Sequence, residues 1–286
     1  MDILYQLRAR LETLSAGEGR IARLILDDVA FAAGASLDDL AARAQVSSAT
    51  LSRFARNLGC RDLRDLRLQL AQASGVGSRF LTPGQAPEQS AFYTQIVGDI
   101  EATLREQLAG FDEARFSAAT ALINGARMLH TFGMGGCSSI CSDELQTRLV
   151  RLGYPIAVQH DPVMMRLIAA TLGPEATVVA CSLTGLTPEL LDAVALARSY
   201  GARVLAITLA DSPLARQADV VLPLSIAETH FIYKPTAARY GMLLTVDVLA
   251  TELALTDPAA NQERLRRIKL ALDDYRGGAD ALPLGD

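Results

Sequence analysis

Five short apolar runs, at 128–132, 155–158, 178–181, 204–209 and 220–224, are separated by helical stretches at roughly 138–152, 162–172, 187–200 and 213–218. A longer helical stretch covers about 235–255. Strands buried on both faces are apolar throughout rather than alternating, and a helix between successive strands lets them run parallel. The pattern predicts an α/β domain of five parallel strands with helices on both faces.

The first 75 residues show no such runs. Ile3, Leu7, Leu11 and Leu14 fall at helical spacing, as do Ile21, Leu24, Ile25 and Val29, and then Leu37, Leu40, Ala41 and Ala44. An all-α domain is therefore expected over 1–75. The stretch SGVGSRFLTPGQAPEQS, residues 74–90, is rich in Gly, Pro and Ser and has no periodicity, so 76–90 are expected to link the helices to an α/β domain over 91–286. A chain of 286 residues also exceeds the roughly 100–200 usual for one domain.

The net charge of −5 is unevenly spread. Residues 1–75 carry ten Arg against nine Asp and Glu, the remainder 17 basic against 23 acidic residues, and 44–75 alone five Arg against two Asp. Positive charge gathered in the helical part suits a DNA-facing surface. The four cysteines, Cys60, Cys137, Cys141 and Cys181, form no CxxC pair and predict free thiols. No apolar run nears the ~20 residues of a membrane span, and the amphipathic, acid-containing start is unlike a signal peptide. A cytoplasmic protein with no membrane partner is expected.

The stretch LDDLAARAQVSSATLSRFARNLG, residues 37–59, has the layout of a helix-turn-helix. Leu40, Ala41 and Ala44 form the inner face of a short helix, Ala44-Gln45-Val46 a turn, and Ser47 the N-cap of a second helix with Leu51, Phe54 and Leu58 facing inward. That leaves Ser48, Ala49, Thr50, Ser52, Arg53 and Arg56 on the outer face, where a recognition helix meets the major groove. Both arginines suit guanine edges or phosphates, the hydroxyls suit phosphates or bases, and Ala49 suits a thymine methyl. An ordinary helical hairpin with a solvated Arg face has the same spacing. Gln45 occupies a position where such turns most often have Gly, which predicts a small backbone strain.

In an open parallel sheet of flavodoxin-like order, ligands bind beyond the carboxyl ends of the first and third strands, where the strand order reverses. The two richest polar loops fall there. FGMGGCSSI, residues 132–140, supplies Gly133 and Gly135, which let backbone N–H groups approach an anion, and Ser138 and Ser139, expected to open a helix. CSLTGLTPE, residues 181–189, supplies Ser182, Thr184 and Thr187 ahead of another helix. Two helix N-termini and five hydroxyls suit a phosphate held largely by neutral donors. Glycines and hydroxyls also make plain strand-to-helix turns and caps. GMGGCSS has Ser138 where a dinucleotide fingerprint needs Gly, and no Walker A lysine occurs, which argues against a nicotinamide or nucleoside-triphosphate enzyme. No cofactor or metal is expected.

These residues resemble the RpiR/MurR family of bacterial transcriptional regulators, a helix-turn-helix joined to a SIS (sugar isomerase) domain. VSSATLSRFARNLG resembles the family's recognition helix, and FGMGGCSS and SLTGLTPE resemble the two sugar-phosphate loops of SIS domains, within a match covering about 4–255. The resemblance implies a regulator of carbohydrate genes, most often a repressor. It would bind double-stranded, palindromic operator DNA through Arg53 and Arg56 as a homodimer or tetramer, and hold a phosphosugar on Ser138, Ser139, Ser182, Thr184 and Thr187. The arrangement is similar to HexR-type regulators, which respond to keto-deoxy-phosphogluconate. The sequence departs from SIS loops at Leu183 and Leu186, apolar where polar residues are usual. It departs again at Ala237-Ala238-Arg239, where a Ser-containing stretch normally precedes the Arg.

Two other classes remain open. Glu228, within SIAETHFIYKP, resembles in position the glutamate of SIS isomerases and has His230 and Lys234 nearby, but it serves equally as an acceptor for sugar hydroxyls. Cys137, Cys141 and Cys181 fall close together in the predicted topology, as a thiol- or metal-responsive regulator would require, although buried cysteines commonly pack as small hydrophobes. His130 is placed in or beside the first strand, and His160, alone after the second, reads as structural.

Overall fold

The computed structural model describes residues 2–75, 89–226 and 236–277; Glu228, His230 and Lys234 lie outside the described residues. The chain divides into two compact units with separate cores.

In the first unit the described helices are α1 (Ile3–Arg10), α2 (Ala16–Asp27), α3 (Val29–Gly34), α4 (Leu37–Arg43), α5 (Ser48–Asn57) and α6 (Leu63–Gly75). Short polar side chains set their starts. Ser15 and Glu18 form a reciprocal capping box, and Asp2, Asp28, Ser36 and Ser47 each accept a backbone N–H two or three residues on. These caps interrupt the apolar periods seen in sequence. Helix α1 stops at Arg10 although Leu11 and Leu14 continue its spacing, and Asp28 ends α2 so that Val29 begins α3. Leu7, Ile21, Ile25, Leu40, Leu51, Phe54, Leu66 and Leu70 share one core.

In the second unit the order is α7 (Gln89–Ala109), α8 (Glu113–Asn124), β1 (Met128–Gly133), α9 (Gly136–Arg151), β2 (Ile156–Gln159), α10 (Pro162–Ala169), β3 (Ala176–Cys181), α11 (Pro188–Ser199), β4 (Arg203–Thr208), β5 (Val220–Pro223), α12 (Ala238–Leu255) and α13 (Pro258–Tyr275). The strands form one parallel sheet in the order β2-β1-β3-β4-β5, the flavodoxin-like arrangement. Successive side chains of a strand point to opposite faces. Accordingly, Val179 and Cys181 pack with Leu145 of α9 and Val246 of α12, while Val178 and Ala180 pack with Met165 of α10 and Val194 of α11. Every residue of β3 is buried, which explains why Thr177 is its one polar residue.

Helices α7, α8 and α13 were not anticipated, and α7 begins at Gln89, inside the expected linker. The stretch at 213–218 makes only a 3₁₀ turn, Ala215–Gln217. Helix α7 is anchored by a buried amide that pattern alone does not reveal. Gln107 Nε2 donates to Pro223 O at 2.8 Å and to Thr245 Oγ1 at 3.2 Å, and its Oε1 accepts the Ser225 N–H at 2.9 Å. Those three bonds satisfy a polar group that is otherwise costly to bury.

Candidate functional site

Helices α4 and α5 form the helix-turn-helix. Ser47 Oγ accepts the Thr50 N–H at 3.2 Å, and Leu51, Phe54 and Ala55 of α5 are fully buried. Gln45 adopts φ 51°, the left-handed region that favours glycine. Arg20 of α2 braces this turn, donating from Nε to Ala44 O at 3.1 Å and from Nη2 to Gln45 O at 3.0 Å. Two carbonyls bound by one planar guanidinium hold the strained segment in place.

Ser48, Ala49, Arg53 and Arg56 are exposed, and Thr50 and Ser52 half-buried, as an outward face requires. Thr50 Oγ1 is shared between Ser47 Oγ at 2.9 Å and Arg53 Nη2 at 3.5 Å, and Arg56 Nε donates to Ser52 O at 3.3 Å. From α2, Glu18 Oε1 accepts Asn57 Nδ2 at 2.6 Å. The bonds from Ser15 and Asn57, with the charge of Arg53 contributing least, hold the Glu18 carboxyl below its ordinary range. An ionised Glu18 restrains the end of α5 without covering Arg53 or Arg56.

In the second unit, the β1–α9 and β3–α11 loops leave adjacent strand ends, since Gly133 pairs in register with Cys181. Helix α9 starts two residues earlier than expected: Gly135, at φ 72°, is its N-cap, and Ser138 and Ser139 fall within its first turn. Its first internal bond runs from Ser139 N to Gly135 O at 3.0 Å, so the N–H groups of Gly136, Cys137 and Ser138 precede it. Gly133 is required by space, because a Cβ there would come within 2.0 Å of Ser142 Oγ and 2.4 Å of Ser138 O.

Ser138 is buried and its Oγ accepts the Leu183 N–H at 3.3 Å, which ties the two loops together. Ser182 is likewise buried, its Oγ accepting the Gly185 N–H at 3.0 Å. A hydroxyl that accepts an N–H keeps its own proton to donate, so both serines scaffold the loops and retain donor capacity. Ser139 Oγ is directed at Gly133 O across 3.4 Å, Thr184 is exposed, and Thr187 is the N-cap of α11 with no side-chain cap bond. Helix α11 is the weaker anion end, because Pro188 at its first position has no N–H and Glu189 adds a carboxylate.

Gly185, at φ 66°, closes the second loop. A Cβ there would lie 2.3 Å from Ser212 Oγ and 2.6 Å from Thr208 Oγ1. Leu183 is half-buried against the core containing Cys181, which accounts for one of the two unusual leucines. Leu186, on the same loop, is 60% exposed.

His160 was expected to be structural; it reaches the loop itself. Its Nδ1 lies 2.7 Å from Gly133 O and its Nε2 2.9 Å from Asp143 Oδ1. Among the cysteines, Cys141 and Cys181 are fully buried and Cys137 half-buried. The bond to Cys181 and then burial hold the Cys141 thiol well above the usual thiol range. Among the described residues, no three His, Cys, Asp or Glu side chains group closely enough to hold a metal ion, and no helix is long and apolar enough to cross a membrane.

Comparison with known proteins agrees with this division. The helix-turn-helix domain of the rpiR family matches residues 1–75, and the SIS domain matches residues 122–252. The HTH-type transcriptional regulator HexR of Pseudomonas aeruginosa is 34% identical over 273 residues, 95% of each chain. HexR of Escherichia coli is 31% identical over 288 residues, covering 100% of this chain and 99% of that one. The structure of the Vibrio vulnificus NanR protein complexed with ManNAc-6P superposes with a TM-score of 0.59 at 24% identity, over 94% of this chain and 98% of that one, a likeness of fold. Helix-turn-helix, parallel sheet and full-length similarity converge: the chain belongs to the RpiR family of DNA-binding transcriptional regulators that carry a SIS domain.

Proposed function

We propose that this regulator is a cytoplasmic repressor of carbohydrate-metabolism genes whose operator binding is controlled by a phosphorylated sugar or sugar acid, and that it is not an enzyme. The observation that carries the reading is the Ser138–Leu183 bond, which joins two donor-rich loops at the sheet's switch point. Gly133, Gly135, Ser138 and Ser139 on one side, and Ser182, Thr184 and Thr187 on the other, would surround the phosphate; Glu228 would accept from sugar hydroxyls. The free N–H groups of α9 supply the positive end of a helix dipole without spending a lysine.

Arg53, Arg56, Ser48, Thr50 and Ser52 would meet a palindromic operator, two chains presenting their recognition helices to half-sites ~34 Å apart, in a homodimer or a tetramer. Ligand would favour one arrangement of paired SIS domains, and the segment joining the units would convert that into a changed half-site spacing. Coupling of this kind is reciprocal, so operator DNA would weaken ligand binding by the same factor. The deciding experiment is a thermal-shift screen against phosphorylated sugars and sugar acids, followed by operator titration with each stabilising compound. A stabilising compound that leaves operator affinity unchanged would reject effector control.

A further inference from the structure

The candidate site carries donors but, among the described residues that form it, no lysine or arginine; His160 is the cationic group its geometry supplies. A carbonyl oxygen only accepts, so the 2.7 Å contact with Gly133 O places a proton on His160 Nδ1. An ionised carboxylate only accepts, so the 2.9 Å contact with Asp143 Oδ1 favours a second proton on Nε2. When both nitrogens are protonated the ring donates to both acceptors at once, so the two contacts favour the imidazolium over the neutral ring. Desolvation lowers its pKa, yet the Gly133 carbonyl and the Asp143 carboxylate together outweigh it and the net shift is upward.

The clamp also orients the site. Gly133 O accepts from His160 at the end of β2 and from Ser139 of α9. The Gly133–Met134 peptide is trans, so its N–H points away from its carbonyl, toward the side on which Gly133 pairs with Cys181 of β3. That side is the crevice between the two loops. Asp143 of α9 is the charged group in contact with the ring, and Asp161 is next in the chain. Asp161 Oδ1 accepts the Met164 N–H at 2.8 Å as the cap of α10, while on the flanking helices Arg148 pairs with Glu144 and Arg166 with Asp192.

We infer that His160 is a positioning residue of the anion site, fixing the Gly133–Met134 peptide with its N–H toward the crevice and adding a positive charge that makes anion binding weaken as pH rises. The inference rests on the phosphosugar reading of these loops. It deepens that reading by naming the group that discriminates anionic from neutral sugars.

The test uses the full chain in two measurements. Histidine NMR of the ligand-free protein, with the His160 signal identified by its loss in H160Q, should show titration above the ordinary value of 6.5, and D143N should lower it. Titration at or below that value overturns the imidazolium. Binding is then followed with 6-phosphogluconate and with inorganic sulfate, whose charge is constant between about pH 6 and about pH 9. Sulfate affinity should fall roughly tenfold over that range if binding raises the His160 pKa by about one unit. H160Q, which keeps a donor for Gly133 O but no charge, should remove the dependence, and D143N should move it to lower pH. The same pH profile in H160Q overturns the positioning role. A high His160 titration with no binding of either anion at any pH overturns instead the phosphosugar reading.

Discussion

The Leu183 N–H donates to Ser138 Oγ across 3.3 Å, so the loop after β3 hangs from the first turn of α9. One serine thus serves two loops, and its hydroxyl proton remains available to a ligand. The same division between scaffold and contact applies to Ser182 and Thr184, and it separates their predicted phenotypes.

Ser182→Ala removes the acceptor of the Gly185 N–H. An unpaired buried donor costs about 1–3 kcal/mol, so the urea midpoint should drop and phosphosugar binding with it. Thr184→Val alters an exposed side chain and should weaken ligand binding at unchanged stability. If the two variants behave alike in both measurements, the assignment of scaffold and contact is wrong.

Gly185→Ala should strongly damage the site. It combines a left-handed φ with a Cβ 2.3 Å from Ser212 Oγ, and each effect costs about 1–3 kcal/mol. Denaturant unfolding together with ligand titration will show whether the loop survives; wild-type values in both would contradict the geometry.

At the proposed DNA-binding face, Arg53→Ala with Arg56→Ala removes two exposed cations. Operator affinity should fall while the thermal midpoint stays unchanged. Where both arginines of each of two bound chains contact phosphates, the slope of log affinity against log salt should flatten by about 4. Unchanged operator binding would remove α5 from the DNA interface.

Gln45→Gly should stabilise the first unit by about 0.5–1 kcal/mol, because φ 51° strains any residue bearing a Cβ. The Gln45 carbonyl that Arg20 holds belongs to the backbone and is retained. A lower unfolding midpoint would mean that the turn's restraint outweighs its strain.

Much of this was legible from local pattern. Apolar runs marked the five strands because the sheet is covered on both faces, and Ser47, Leu51 and Phe54 marked helix α5 because capping and helical spacing act over a few residues. Helices α7, α8 and α13 were missed, and 213–218 was overread. Helix α7 owes its place to Gln107, a polar residue that hydropathy assigns to the surface until the partners at Pro223, Ser225 and Thr245 are known.

The sequence by itself determined the strand and helix alternation, the positions of both loops and the composition of the outward face of α5, since each depends on neighbours a few residues apart. Only the tertiary structure decided which partners the candidate site residues meet. Ser138 finds Leu183 45 positions away, and His160 finds Gly133 27 positions away. Such contacts exist because parallel pairing brings the ends of β1, β2 and β3 side by side, and no local spacing encodes which side chain then meets which backbone group.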